Sequence, residues 1–207
     1  MITGPAGPIE ASLDLAHRTA AAIAVICHPH PLQQGTMQNK VVTTLARAFA
    51  HLGAAAVRFN FRGVGNSAGT YADGVGERDD ARAVVDDCRR RWPELPVYLG
   101  GFSFGGAVAL GIAADIAPRG LVTVAPAIGR LPADFAPPQC RWLLIHGEAD
   151  DVVPAGPVAE WAAALAAPPK IVLLPGVGHF FHGRLGAVGD AVTEFFTADF
   201  QGGSRPT

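Results

Sequence analysis

Val97-Tyr98-Leu99-Gly100-Gly101-Phe102-Ser103-Phe104-Gly105-Gly106-Ala107-Val108-Ala109-Leu110 is the stretch whose reading decides the fold. It predicts a short apolar strand, a serine between glycines, and a helix that is apolar on all sides. A strand that runs straight into a helix must bend very tightly. The residue in that bend holds its side chain clear of both elements, in strained backbone. Gly101 and Gly105 stand two positions either side of Ser103, where any Cβ would clash as strand and helix close together.

The Gly-x-Ser-x-Gly pattern is weak evidence when it stands alone. Gly65-Asn66-Ser67-Ala68-Gly69 satisfies it equally well. The context separates the two. Ser67 follows Phe61-Arg62-Gly63-Val64-Gly65 and runs into Thr70-Tyr71-Ala72-Asp73-Gly74, which is loop chemistry on both sides. Only Ser103 has a strand before it and a helix after it, and Ser67 is read as a decoy.

Working outward, Ala21 to Cys27 is a continuous apolar run, the pattern of a strand covered on both faces. It ends in His28-Pro29-His30-Pro31, where two prolines are expected to stop regular structure. Val41, Val42, Leu45, Phe49 and Leu52 mark one face of a helix over Asn39–Leu52, closed by Gly53. Ala54 to Asn60 reads as a strand, and Glu77 to Trp92 as a helix with acids first, arginines last and Pro93 as its stop. Strands follow at Leu121–Ala125, Trp142–His146 and Lys170–Leu174. Helices run through Val158, Trp161 and Leu165, and over Leu185–Phe200. Ile9 to Leu15 is expected as an edge strand turned back at His17-Arg18-Thr19, and the tail from about Gln201 as frayed. Strands alternating with helices predict an α/β fold: a mostly parallel, doubly wound sheet in one domain over residues 1–207.

Composition narrows the function classes. The chain has 207 residues, 49% of them hydrophobic and only 16% charged, with a formal net charge of −2. Its basic residues form no long run except Arg89-Arg90-Arg91 at a helix end, which argues against nucleic acid or an anionic membrane as partner. Cys27, Cys88 and Cys140 are an odd number without metal-ligand spacing, the usage of a reduced, cytoplasmic setting. Met1-Ile2-Thr3-Gly4-Pro5 lacks a basic segment followed by an apolar run, so no signal peptide is expected. No apolar stretch is long enough to span a bilayer.

In doubly wound sheets, active groups gather at the carboxyl ends of the strands. A serine hydroxyl is a poor nucleophile without a base in reach, and that base is an imidazole held in one tautomer by a carboxylate. His179 lies just past the Lys170–Leu174 strand in a glycine-rich turn, Pro175-Gly176-Val177-Gly178. Asp150 lies just past the Trp142–His146 strand. Ser103, Asp150 and His179 follow the chain order of the α/β-hydrolase triad. His182 and Asp151 are the neighbouring alternatives for base and acid.

The resemblance that these residues carry can be named. His28-Pro29-His30-Pro31, Gly35-Thr36-Met37, Arg58-Phe59-Asn60-Phe61-Arg62-Gly63-Val64-Gly65, Gly101-Phe102-Ser103-Phe104-Gly105, His146-Gly147-Glu148-Ala149-Asp150 and His179-Phe180-Phe181-His182-Gly183-Arg184 occur in order. Together they resemble a small, lid-less bacterial subfamily of α/β-hydrolases with dienelactone-hydrolase-like architecture. Gln34 stands where that resemblance leads one to expect a second glycine. The resemblance implies Ser103 as nucleophile, His179 as base and Asp150 as its orienting acid. It also implies two backbone N–H donors for a developing oxyanion. One is Phe104. The other comes from the loop after Cys27, where Pro29 and Pro31 have no N–H and His30 or Leu32 must serve. Analogy with relatives favours His30.

Plainer readings stand beside these. Ser103 could be a turn serine, and the histidine pairs His28/His30 and His179/His182 read as satisfied loop residues rather than zinc ligands. Arg58 and Arg62 are read as pairing with Glu77, Asp79 or Asp80 and fixing the loops, in preference to binding an acidic substrate. Phe180 and Phe181 are read as core or pocket wall, and Trp92 and Trp161 as core. The interval Pro126–Gln139 is too short for a cap over the site. The expected function is hydrolysis of short-chain carboxylic esters through an acyl-enzyme. No metal or organic cofactor is implied, and the partner is a small-molecule ester. A peptidase, thioesterase or acyltransferase with the same triad remains open, as does a binding protein on a hydrolase scaffold.

Overall fold

The computed structural model describes residues 1–15 and 19–201. Its centre is a seven-stranded sheet of β3 (Ala11–Asp14), β4 (Ala22–Cys27), β5 (Ala54–Phe59), β6 (Val97–Phe102), β7 (Gly120–Val124), β8 (Arg141–Gly147) and β9 (Lys170–Leu174). Across the sheet the order is β3-β5-β4-β6-β7-β8-β9. Only β3 is antiparallel to its neighbour. The helices are α1 (Lys40–Leu52), α2 (Val75–Arg91), α3 (Phe104–Ile116), α4 (Ala155–Ala163) and α5 (Leu185–Gln201).

Helices on both faces explain the unbroken apolar runs in the central strands. Val25 and Leu99 face a core shared with Val84 of α2 and Val108 of α3. Ala24 and Ile26 face the opposite core, with Leu45 and Phe49 of α1 and Val192 and Phe196 of α5. A side chain that alternates on a pleated strand therefore meets apolar surface either way. Local chemistry fixes the helix ends. Asn39 caps α1 by accepting from the Val41 amide at 2.9 Å, and Gly53 closes it at φ 106°.

Several expectations need correction. A hairpin of β1 (Ile2–Gly4) and β2 (Gly7–Ile9) precedes the main sheet; three-residue strands are too short to show a period. The edge strand expected over Ile9–Leu15 is interrupted at Glu10, whose carboxylate accepts from the Asn66 amide at 2.9 Å and from Asn60 at 2.7 Å. The expected turn at 17–19 falls largely on residues 16–18, and the tail beyond 201 on 202–207; both lie outside the described residues. The prolines after β4 do not abolish regular structure: Pro31–Gln33 forms one 3-10 turn, with proline at the start where its missing N–H is harmless. α4 stops at Ala163, short of Leu165.

The loop arginines pair as expected in kind but only half in partner. Arg62 is paired with Asp80 at 2.7 Å. Arg58, however, is bound to Asp14 at 2.6 Å and donates to the Met37 carbonyl at 2.9 Å. The antiparallel pairing of β3 with β5 sets Asp14 opposite Ala56, two residues before Arg58. Ser67, the decoy, is buried and structural: its hydroxyl donates to the Asn60 carbonyl at 2.7 Å and accepts from the Glu10 amide at 2.9 Å.

His28, at the carboxyl end of β4, is fully buried. Its Nδ1–H donates to the Pro29 carbonyl at 2.6 Å and its Nε2 accepts from the Phe61 amide at 3.0 Å. That is the pattern of a neutral imidazole. Burial pushes its pKa down to about 4, against the opposing pull of the Pro29 hydrogen bond. The unfolded value is higher, so the unfolded chain takes up the extra proton first as pH falls. The stabilisation is complete above about pH 6.5 and is lost progressively toward the folded value, roughly 3 kcal/mol in all. Urea unfolding at pH 7.5 and 4.5 should therefore show a smaller pH dependence in His28→Gln than in wild type; equal slopes would remove His28 from the account.

Candidate active site

β6 ends at Phe102 and α3 begins at Phe104, which leaves Ser103 alone in the bend at φ 54° and ψ −117°. Such backbone costs about 1–3 kcal/mol and persists only where its surroundings enforce it. Here the Ser103 amide donates to the Val124 carbonyl at 2.9 Å, and the Ser103 carbonyl accepts from Ala127 at 3.1 Å. A Cβ on Gly101 would strike the Gly105 carbonyl, and one on Gly105 would strike the carbonyls of Cys27 and His28. The glycine spacing lets α3 press against both its own strand and the end of β4.

Asp150 and His179 follow the ends of β8 and β9, beyond the intervening β7. Gly147 closes β8 where a Cβ would collide with the Val177 carbonyl. The two loops are tied there, with Glu148 N–H on the Leu174 carbonyl and Ala149 N–H on the Val177 carbonyl, both at 3.0 Å. Asp150 and His179 thereby meet, with His179 Nδ1 at 2.7 Å from Asp150 Oδ2. On the other side of the ring, His179 Nε2 lies 3.0 Å from Ser103 Oγ, across 76 residues of chain. An ionised carboxylate only accepts, so Nδ1 carries the proton and Nε2 is left to accept from the serine hydroxyl. Phe102 packs against the imidazole with ring centroids 5.0 Å apart. Phe181, buried at φ 53°, packs against Phe102 and anchors the turn that carries His179.

Asp150 is buried and well supplied with donors. Its Oδ1 accepts from the amides of Val152 and Val153 at 2.9 and 2.7 Å. Burial alone would raise its pKa, but hydrogen bonds from His146, His179 and the Val153 amide outweigh that and hold it well below the usual carboxylate range. His146 has a place in the sequence motif that ends at Asp150, but the sequence assigns it no role of its own. It is fully buried on β8, donates from Nε2 to the Val153 carbonyl at 2.8 Å, and sits 3.3 Å from Asp150 Oδ2. Its Nδ1 has no hydrogen-bond partner among the described residues. The only sequence signal for it was the four-residue spacing between His146 and Asp150.

The alternatives face solvent. Asp151 and His182 are exposed and line, with His179, Phe180 and Arg184, a surface recess of about 340 Å³. In the loop after β4, the Leu32 amide donates to His30 Nδ1 at 3.2 Å, whereas the His30 amide has no acceptor among the described residues. The His30 ring lies 5.0 Å from that of Phe104. At the first position of α3, the Phe104 N–H also lacks an intrahelical acceptor. Gln34 adopts φ 58°, a conformation that glycine takes without strain and that accounts for the glycine expected there.

A serine held on a strained strand-to-helix bend, at the carboxyl edge of a sheet in this order, separates the α/β serine hydrolases from other doubly wound proteins. Residues 35–143 match the family model described as serine aminopeptidase, S33 (Hydrolase_4), and the chain belongs to that family. It is 40% identical to XC6422 of Xanthomonas campestris, described as an α/β serine hydrolase without lid, over 99% of this chain and 94% of that one, with a TM-score of 0.91. An α/β serine hydrolase homologue from Coxiella burnetii is 39% identical over 93% of this chain and 94% of that one, with a TM-score of 0.89. An uncharacterized protein of Rickettsia prowazekii is 30% identical over 93% of this chain and 85% of its own length. The chain is thus a lid-less α/β hydrolase. No helix among the described residues is long and apolar enough to cross a membrane.

Proposed function

We propose that the protein hydrolyses short-chain carboxylic esters through an acyl-enzyme, with Ser103 as nucleophile, His179 as general base and Asp150 as the acid that orients it. The observation that carries this reading is the continuous line from Asp150 Oδ2 through the His179 ring to Ser103 Oγ, at 2.7 and 3.0 Å. His179 takes the hydroxyl proton as Ser103 attacks the acyl carbon, then returns it to the departing alkoxide. A water molecule, activated by the same imidazole, releases the acid and regenerates the serine. The His30 and Phe104 amides receive the oxyanion. Fixed donors aimed at that charge are among the largest contributors to such catalysis.

The short-chain preference follows from what covers the site. Between β7 and β8 the chain holds one short 3-10 turn, Ile128–Arg130, and no cap. Leu32 and Phe180 beside the site are 71% and 54% exposed. An acyl chain that stays in water gains little of the roughly 0.8 kcal/mol available per buried methylene. Across p-nitrophenyl esters from C2 to C12, kcat/KM should be highest at C2–C4, with no gain as the chain lengthens to C12. A preference for C12 over C4 would contradict the proposed acyl class.

A further inference from the structure

Next to the His30 amide lies a polar chain that the hydrolytic steps do not use. Tyr71, in the loop between β5 and α2, has its hydroxyl 3.2 Å from His30 Nε2. That hydroxyl donates to Asp73 Oδ1 at 3.1 Å, and Arg130 donates to the same oxygen at 2.9 Å. The directions are fixed by elimination. The Leu32 amide can only donate, so His30 Nδ1 is bare and the ring proton is on Nε2. Nε2–H then donates to the Tyr71 oxygen, whose own hydrogen goes to Asp73.

The tautomer matters because the His30 ring caps the Pro31–Gln33 turn. The His30 carbonyl meanwhile accepts from Gln33 and Gly35 at 3.0 and 3.1 Å, so backbone and ring of His30 together close this loop. A proton on Nδ1 would face the Leu32 N–H and open the turn next to the oxyanion amide. Burial and the Arg130 charge lower the His30 pKa, while Glu77 and Asp73 raise it, with a net lowering that keeps the ring neutral.

We propose that Tyr71 is a positioning residue of the oxyanion loop, sharing with the Leu32 amide the hold on His30 as the Nε2–H tautomer, through a hydroxyl anchored on Asp73 and Arg130. The role rests on the reading of the His30 amide as an oxyanion donor. Tyr71→Phe removes the hydroxyl and keeps the ring that packs 5.0 Å from His30 and 6.0 Å from Phe104. Expected for Tyr71→Phe on p-nitrophenyl acetate is a kcat lower by about ten-fold, the worth of roughly one hydrogen bond, with KM within two-fold. Nitrogen NMR of labelled histidine should show His30 protonated at Nε2 in wild type and mixed between tautomers in the variant.

His30→Asn supplies the turn with a side-chain oxygen that can accept from the Leu32 amide without a tautomer to choose. In that background Tyr71→Phe should change kcat by less than two-fold. An equal loss in both backgrounds, a wild-type His30 proton on Nδ1, or an unchanged kcat in Tyr71→Phe would each overturn the role. If a fluorophosphonate leaves wild-type Ser103 unmodified, the hydrolytic reading itself fails and takes this one with it; labelled Ser103 with an indifferent Tyr71 isolates the failure here.

Discussion

Ser103→Ala is expected to lower turnover of p-nitrophenyl butyrate by at least ~10³-fold, because loss of a nucleophile leaves only the catalysis of the binding site and oxyanion donors. The variant should stay folded. The lost oxygen makes one side-chain hydrogen bond, to His179 Nε2 at 3.0 Å, and alanine inherits the same strained bend at φ 54°. Turnover, the thermal midpoint and covalent labelling by a fluorophosphonate should be read on the same preparations. Wild type should take up one adduct on Ser103 and the variant none. A folded Ser103→Ala that keeps more than a tenth of wild-type turnover would end the proposal, and Ser67 would not replace it, since that hydroxyl is already spent on Asn60.

Asp150→Asn should be nearly as damaging, at about 10³–10⁴-fold in kcat, for a reason that can be followed atom by atom. The amides of Val152 and Val153 both donate to Oδ1, so the carboxamide oxygen must stay there. Its NH₂ then replaces Oδ2 and points at His179 Nδ1. Nδ1 becomes the acceptor, the ring proton moves to Nε2, and the imidazole meets Ser103 with a donor where it needs a lone pair. The same NH₂ also faces the Nε2–H of His146, 3.3 Å from the original oxygen. Stability should fall as well. A carboxyl with a depressed folded pKa stabilises above its unfolded value near ~4, and the benefit disappears as pH drops through the folded value. Asp150→Asn should thus be less stable than wild type at pH 7, by roughly 1–3 kcal/mol for lost charge-assisted hydrogen bonds, with the gap closing in acid. Asp151→Asn is the control. If it costs more activity than Asp150→Asn, the acid has been assigned to the wrong carboxylate.

How much of this was legible beforehand differs between elements. The central strands and α1 could be read within a residue or two, because burial on both faces forces an apolar run and amphipathic packing forces a 3.6-residue stripe. The hairpin before β3 could not, since Ile2 and Ile9 are the only buried anchors in strands of three residues. His146 was in view only as half of a motif. Its side chain matters through a contact with Asp150 that spacing on a strand does not announce. The hydrogen bond from the Leu32 amide to His30 Nδ1 likewise depends on where one imidazole points, which the local pattern does not give.

From the order of residues alone came the layered α/β architecture, the serine in its glycine-flanked bend, and a short roster of acids and histidines at strand ends. Each is written in local terms: periodicity, turn chemistry, and the absence of a Cβ. Folding in three dimensions decided which members of that roster meet. Asp150 rather than Asp151 turns inward because two backbone amides hold its carboxylate. Arg58 finds Asp14 rather than an acid of α2 because an antiparallel edge strand brings it there. Contacts across many tens of residues depend on strand order and loop closure, which no local pattern encodes.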